Sequence, residues 1–189
     1  MPASLHTKKI FANSMKELMR ETPFSDISVG DIAAHCGMSR NAFYYHFKDK
    51  YDLVTWIFRT ESAPYLAIPV CRSNWAEILR GLCRYFRANR EFYCNALRYT
   101  GQNSLQNYLF EAVSHTVMHH IISIDKPEYK QWSEKETRFA ADFFGVTVVG
   151  LLVKWALDGM DEDPDSYLTS LSRILSGSIL EDYFDSIEA

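Results

Sequence analysis

The sequence predicts an all-α fold, and three observations carry that reading. Nearly every segment sets apolar residues at helical spacing, and no alternating apolar/polar run reaches strand length. Glycine, proline and Ser-x-x-acid signals punctuate the 189 residues at helix-length intervals. The segments amount to about nine helices: an N-terminal three-helix unit with a helix-turn-helix, then a helical body. Hydrophobic residues make up 47% and charged residues 23%, which suits a chain that buries a core and excludes disorder or a collagen-like repeat.

The first helix is expected from about Leu5 to Glu21. Phe11, Met15, Leu18 and Met19 share one face, and Thr22-Pro23 stops the helix because proline disfavours helix at the residue before it. Ser28-Val29-Gly30-Asp31 has the pattern of a capping box and opens a short helix through Ile32, Ala33 and Cys36; Gly37 supplies the freedom for a tight turn. Ser39 caps the next helix, Arg40 to Phe47. A fourth runs from Lys50 through Leu53, Trp56, Ile57 and Thr60 until Pro64 and Pro69 interrupt it. Asn74 with Glu77 opens a helix over about 75–88; others follow at about 90–99, ended by Gly101, and about 103–124, stopped near Pro127. A Ser133/Glu136 capping box begins a long helix to Gly159, and Asp163-Pro164 begins the last, to about Ile187.

Those last two helices are too apolar for one core. Between Phe139 and Leu157 hydrophobic residues cover nearly the whole circumference, where one face of a surface helix needs about a third. The pair is therefore expected to dimerise with a second copy as a four-helix bundle, through Phe144, Val148, Leu151, Leu152, Leu171, Leu175 and Ile179. Gly145 and Gly150 would allow close helix approach. The alternative is a single central core helix. A membrane span is not expected, since the best apolar run, Phe143 to Val153, is eleven residues between Asp142 and Lys154, short of the ~20 required. The N-terminal MPASLHTKK has no secretory pattern, so the expected location is the cytoplasm. There Cys36, Cys71, Cys83 and Cys94, none in a C-x-x-C pair, read as free, buried thiols.

The formal charge is −4, but residues 1–60 hold eight Lys/Arg against six Asp/Glu, so an N-terminal excess of +2 sits on an acidic remainder. Within that head, Gly37-Met38-Ser39 joins two short helices with the turn length of a helix-turn-helix. Ile32, Ala33, Met38, Phe43 and Phe47 can pack the pair. The outer face of the second helix is left with Arg40, Asn41, Tyr44, Tyr45 and His46, donors and planar rings without an acid. A helix of this kind fits the major groove of DNA, where arginine pairs with guanine and asparagine with adenine. Lys48 and Lys50 flank it, Lys50 at a helix start where free N–H groups also favour phosphate. The capping serines Ser28 and Ser39 complete the candidate set.

Residues 28–53, SVGDIAAHCGMSRNAFYYHFKDKYDL, resemble the DNA-binding signature of TetR-type bacterial transcription regulators, an aromatic-Tyr-x-His-Phe run followed by Lys three residues on. The match is Phe43-Tyr44-Tyr45-His46-Phe47 with Lys50. The resemblance implies phosphate contacts from Tyr44, His46 and Lys50 and base contacts from Arg40, Asn41 and sometimes Tyr45. It departs from the pattern at Ala42, where many members have Thr, and at Gly30, where a charged or polar residue is frequent. It implies a helix-turn-helix domain at residues 1–50 and a dimerising, signal-receiving body at 51–189. Such a protein would bind a near-palindromic double-stranded DNA operator as a homodimer and respond to a small molecule. The body text, Phe92-Tyr93-x-Asn95-Ala96-Leu97, Gly101-Gln102-Asn103-Ser104 and Trp155 to Gly159-Met160, is similar to the subgroup that includes activators of dihydroxyacetone kinase operons. That resemblance implies an alternative, in which a separate sensor protein docks on the body.

In the body, Tyr85, Phe86, Phe92, Tyr93, Tyr99, Tyr108, Phe139, Phe143 and Trp155 fit either a solid core or the walls of an effector cavity with Asn95, Arg98, Gln102 or Asn103 as anchors. The effector set expected is Tyr93, Asn95, Arg98, Gln102, Phe143 and Trp155. Glu111, His115 and His119 recur every four residues beside His120, a spacing that also suits a solvated stripe; no metal and no cofactor are expected. Catalysis is not expected either, because G-x-S-x-G, H-E-x-x-H and a glycine-rich loop before lysine are all missing.

Overall fold

The computed structural model describes residues 3–66, 74–123 and 130–175. Among these residues are nine helices and no strand: α1 (Ala3–Leu18), α2 (Val29–His35), α3 (Arg40–His46), α4 (Lys50–Leu66), α5 (Trp75–Ala88), α6 (Arg90–Arg98), α7 (Leu105–Ser123), α8 (Glu134–Leu157) and α9 (Pro164–Leu175). The all-α architecture read from the sequence is the one observed. Cys71, Pro69 and the chain beyond Leu175, including Ile179, lie outside the described residues.

In the head, α1 crosses α2, α3 and α4 and buries Phe11, Met15 and Met19 with Ile32, Ala33, Phe43, Phe47, Leu53 and Ile57. Phe11 meets Phe43 edge-on at 5.2 Å and Phe47 at 6.4 Å, an arrangement favoured by the ring quadrupoles. The core is continuous into the body, because Phe58 of α4 meets Phe86 of α5 at 6.1 Å and Tyr108 of α7 at 5.9 Å. The interruption expected at Pro64 does not occur, and α4 continues to Leu66. Pro64 is exposed. Tyr65 lies on Gly81 of α5, where a Cβ would stand 2.6 Å from the ring, and 5.9 Å from the Tyr85 ring. Packing on α5 thus holds the last turn of α4 against the local cost of proline.

Helix α5 buries Ile78, Leu82, Cys83 and Phe86 on one stripe, and Asn89 alone links it to α6. Phe86 stacks on Tyr93 at 3.9 Å and 8°, and the Tyr93 and Tyr85 hydroxyls meet at 3.2 Å. Tyr85 donates to the Glu61 carboxylate, which also pairs with Lys16 of α1. Helix α8 packs most extensively on α7. Gly145 makes the crossing close: a Cβ there would lie 2.3 Å from Ser114 Oγ. Gly150 faces open space instead.

The α8–α9 turn uses Gly159 (φ +98°) and Met160 (φ +57°) in left-handed conformations. Trp155 Nε1 donates to Glu162 O at 3.0 Å, and Tyr167 donates to Leu151 O at 2.6 Å. Arg80, Arg84, Arg87 and Arg90 of α5 and α6 face Asp165, Asp163 and Asp161 of this turn and the start of α9. Cys94 and Cys83 are buried, and burial pushes the Cys83 thiol up to about 12.

The expected dimer residues divide. Leu152 and Leu171 are buried within the chain's own core, so they offer nothing to a second copy; Val148 and Leu151 are half-buried and Phe144 is partly exposed. The correction follows from register: α8 turns Ala141, Gly145, Val149, Leu152 and Ala156 inward and leaves Phe139, Phe143, Val146 and Leu157 outward. Among the described residues α8 alone is long and apolar enough to cross a membrane, a criterion that core helices also meet, and its inward face packs on α7 and α6.

Candidate nucleic-acid interface

Two caps and one glycine build the head's paired helices. At the start of α2, Ser28 Oγ accepts the Asp31 N–H at 3.2 Å while the Asp31 carboxylate accepts the Ser28 N–H at 2.8 Å. The Ser28 hydrogen bonds hold the Asp31 carboxyl below its usual value. Gly37 (φ +69°) turns the chain after α2. Ser39 Oγ then accepts the Ala42 N–H at 3.1 Å and opens α3. Both serine hydroxyls are engaged in capping, each of a kind worth about 1 kcal/mol.

Only Phe43 is buried on α3. The rest of the helix is offered to solvent: Arg40 and Asn41 are exposed, Tyr44 and Tyr45 are 57% and 83% exposed, and His46 is half-buried against Phe11. Tyr44 meets the small core in an edge contact with Phe43 at 5.7 Å. Gly30, which departs from the family pattern, has a structural use: a Cβ there would stand 2.5 Å from Arg40 Nη2, so the missing side chain is the seat on which the guanidinium lies. Sequence alone does not reveal this seat, since the contact joins two helices.

Lys48 is exposed beside the end of α3. Lys50 departs from expectation. Its Nζ donates to the carbonyls of Phe24, Ser25 and Ile27 at 2.8, 2.9 and 2.7 Å and lies 4.7 Å from the Phe24 ring. An ammonium has three N–H donors, and all three are spent on the α1–α2 loop rather than free for phosphate. Burial lowers the Lys50 pKa from its ordinary value.

On the other side of the same loop stands Asn95 of α6. Its Nδ2 donates to Met19 O at 2.9 Å and Thr22 O at 2.7 Å, and its Oδ1 accepts the Phe24 N–H at 2.8 Å. Phe24 is buried between Tyr51 and Tyr99, which stack at 5.1 Å. Hydrogen bonding to Tyr99, with some burial, pushes the Tyr51 hydroxyl up to about 12.

The six expected effector residues do not converge. Tyr93 and Trp155 are buried in packed core, Gln102 is exposed, and Phe143 is 56% exposed on the outer face of α8. Asn95 and Arg98 instead line an open groove of about 650 Å³ at the head–body joint, with Arg20, Thr22, Arg90 and Tyr99 among its other walls. Glu111, His115 and His119 are exposed along α7, and among the described residues no three His, Cys, Asp or Glu side chains are grouped to hold a metal.

Comparison with known proteins agrees with this geometry. Residues 15–55 match bacterial regulatory proteins of the tetR family, and residues 73–177 match a transcriptional regulator C-terminal region. The HTH-type dhaKLM operon transcriptional activator DhaS of Lactococcus lactis subsp. lactis (strain IL1403) is 33% identical over 93 residues, 49% of this chain and 50% of that protein. The match thus spans about half the length of that relative. Among solved structures, a dihydroxyacetone kinase operon activator DhaS superposes with a TM-score of 0.62 at 22% identity, covering 93% of this chain and 97% of that one. NalD, the secondary repressor of the MexAB-OprM multidrug efflux pump in Pseudomonas aeruginosa, does so with 0.58 at 18%, covering 98% and 97%. At these identities the structural likeness is one of fold.

Proposed function

The chain belongs to the tetR family of bacterial regulatory proteins, a family of non-enzymatic transcription regulators, and from that premise we propose that it binds a near-palindromic operator as a homodimer in the cytoplasm. One observation carries the proposal: α3 is capped, braced by a single buried ring and otherwise turned outward, with Arg40, Asn41, Tyr44 and Tyr45 exposed and no acid on the helix. In the major groove, Arg40 and Asn41 at the start of α3 read base edges, while Tyr44, Tyr45, His46 and Lys48 approach the backbone. Lys50 acts indirectly, by fixing the loop that leads into α2. Residues 1–50 form the reading unit and 51–189 the dimerising and receiving unit.

The second copy packs on the outward face of α8, around Phe139, Phe143, Phe144 and Val146, with Gly150 giving room for close approach. An exposed apolar stripe of this size is a liability for a monomer and an asset for a symmetric interface. The two heads then meet half-sites about one helical turn, 34–36 Å, apart. A small molecule that changes the spacing of the heads would regulate binding. A second reading, in which a separate sensor protein docks on the body, is favoured by the packing of Tyr93, an expected effector residue, in solid core against Phe86, and by the likeness over half the chain to an operon activator.

Selection of genomic fragments by the purified protein at two salt concentrations tests the proposal. An enriched inverted repeat retained at the higher salt is the expected result; salt-sensitive retention without enrichment would refute operator recognition.

A further inference from the structure

We propose that Asn95 is the positioning residue that sets the angle of the DNA-reading head on the body. The inference rests on the regulator reading for its consequence at DNA, but its structural part stands on geometry alone. Helix α4 runs unbroken from head to body, so it joins the two like a rod. A rod fixes distance and leaves rotation about its axis and bending at its ends to be fixed by a second attachment. Asn95 provides one with three hydrogen bonds of 2.7–2.9 Å from a single amide.

Those bonds reach three different points of the α1–α2 loop: the carbonyls of Met19 and Thr22 just past the end of α1, and the N–H of Phe24. Three points define an orientation, where one or two would leave an axis free. The loop does not yield on the head side, because Lys50 holds the carbonyls of Phe24, Ser25 and Ile27. Displacement of α6 is therefore passed to α1 and to the start of α2. On the body side, the adjacent Cys94 donates its Sγ–H to Ala156 O of α8 at 3.0 Å. A continuous path of contacts leads from α8, which bears the outward apolar face, through α6 to the reading helices. The nearby Arg20–Glu91 ion pair, at 3.4 Å, is about two-thirds exposed on both sides and cannot replace this attachment in water.

Two measurements test the proposal. The first is DNA-free: double electron–electron resonance between labels placed by unnatural amino acids at the exposed positions Asn13 on α1 and Asn107 on α7, in full-length protein diluted with unlabelled copies. Wild type gives one narrow distance distribution. Asn95→Asp keeps an acceptor for Phe24 but turns a carboxylate oxygen toward two carbonyls, and is expected to broaden or shift the distribution; Asn95→Ser does the same if the Asp variant fails to fold. Arg20→Ala leaves it as in wild type. An unchanged distribution in a folded Asn95 variant overturns the proposal.

The second measurement takes the inverted repeat enriched by wild type and varies its spacer. The Asn95 variants are expected to lose about fivefold or more of the preference for the best spacer, with base preference inside each half-site unchanged. A merely destabilised head would lose both together. An undiminished spacer preference also overturns the proposal. Failure to enrich any repeat would defeat the regulator reading, whereas the resonance experiment would still decide the role of Asn95.

Discussion

Tyr44 and Tyr45 on α3 and Phe139 and Phe143 on α8 are all exposed rings, at 57%, 83%, 74% and 56%, yet the two pairs are prepared for opposite partners. The tyrosines carry hydroxyls and sit with Arg40, Asn41 and Lys48, so a polyanion with hydrogen-bonding groups can satisfy them. The phenylalanines carry no polar atom and stand with Val146 and Leu157 on one stripe. Water is a poor solvent for that stripe, and only another apolar surface relieves it. Exposure alone therefore says little about function; the atoms at the ring edge and the neighbours along the helix distinguish a reading face from an assembly face.

The comparison breaks most visibly at α8. Replacing Phe139 and Phe143 together by serine is expected to cost the dimer about 3–6 kcal/mol for each protomer, since every copy loses two rings at about 1.5–3 kcal/mol per buried ring. Sedimentation velocity should show monomers at concentrations where wild type is dimeric, with helicity unchanged by circular dichroism. An unchanged dimer would place the interface elsewhere. By contrast, Phe86→Ala strikes the core beneath, and stability in urea should fall by roughly 3–5 kcal/mol.

On the reading face the effects are smaller and more selective. Arg40→Ala should cost about 1–3 kcal/mol at one base position per half-site and leave the others alone, as measured by binding to single-position variants of the operator. Equal loss at every position would make Arg40 a backbone contact. Ser39→Ala removes the cap of α3 and should lower head stability by about 1 kcal/mol, read as a fall in Tm. The smallest effect concerns pH. Because Ser28 holds the Asp31 carboxyl below its usual 3.8, its stabilising contribution is present above that value and is lost as pH falls through the lower folded value. The Tm difference between wild type and Asp31→Asn should shrink accordingly on acidification.

The head was legible because its signals are local. Ser28 with Asp31, Gly37 and Ser39 lie within a dozen residues and each has one conformational task, so boundaries and outer face follow from the text. What resisted, in the α1–α2 loop of the head and throughout the body, are contacts that join distant residues. Nothing near Lys50 tells that the Phe24, Ser25 and Ile27 carbonyls will take its donors, and Tyr65 overrides Pro64 only because Gly81 leaves a flat place for it. The apolar excess of α8 was visible in its composition, but which half faced outward depended on how α7 packs, which placed Phe143 in an imagined pocket and Leu152 in an imagined interface. Asn95 was noticed as a polar group among aromatics; that it reaches across more than 70 positions of sequence to the end of α1 only the fold could show.

The arginines that line α5 and α6 opposite Asp161, Asp163 and Asp165 bear on how binding curves are interpreted. Arg80 is mostly covered, but the other pairs are about half exposed or more, and at physiological ionic strength charges are screened over about 8 Å. Added salt thus weakens the ion-pair part of the docking of α9, which buried Leu168 and Leu171 otherwise hold, while it also competes for phosphates, and a conventional salt titration of operator affinity sums the two effects into one slope. Trp155 separates them: its indole N–H donates to the Glu162 carbonyl in the α8–α9 turn, so in a protein whose Trp56, Trp75 and Trp132 are replaced by phenylalanine its fluorescence, recorded without DNA, follows the turn alone.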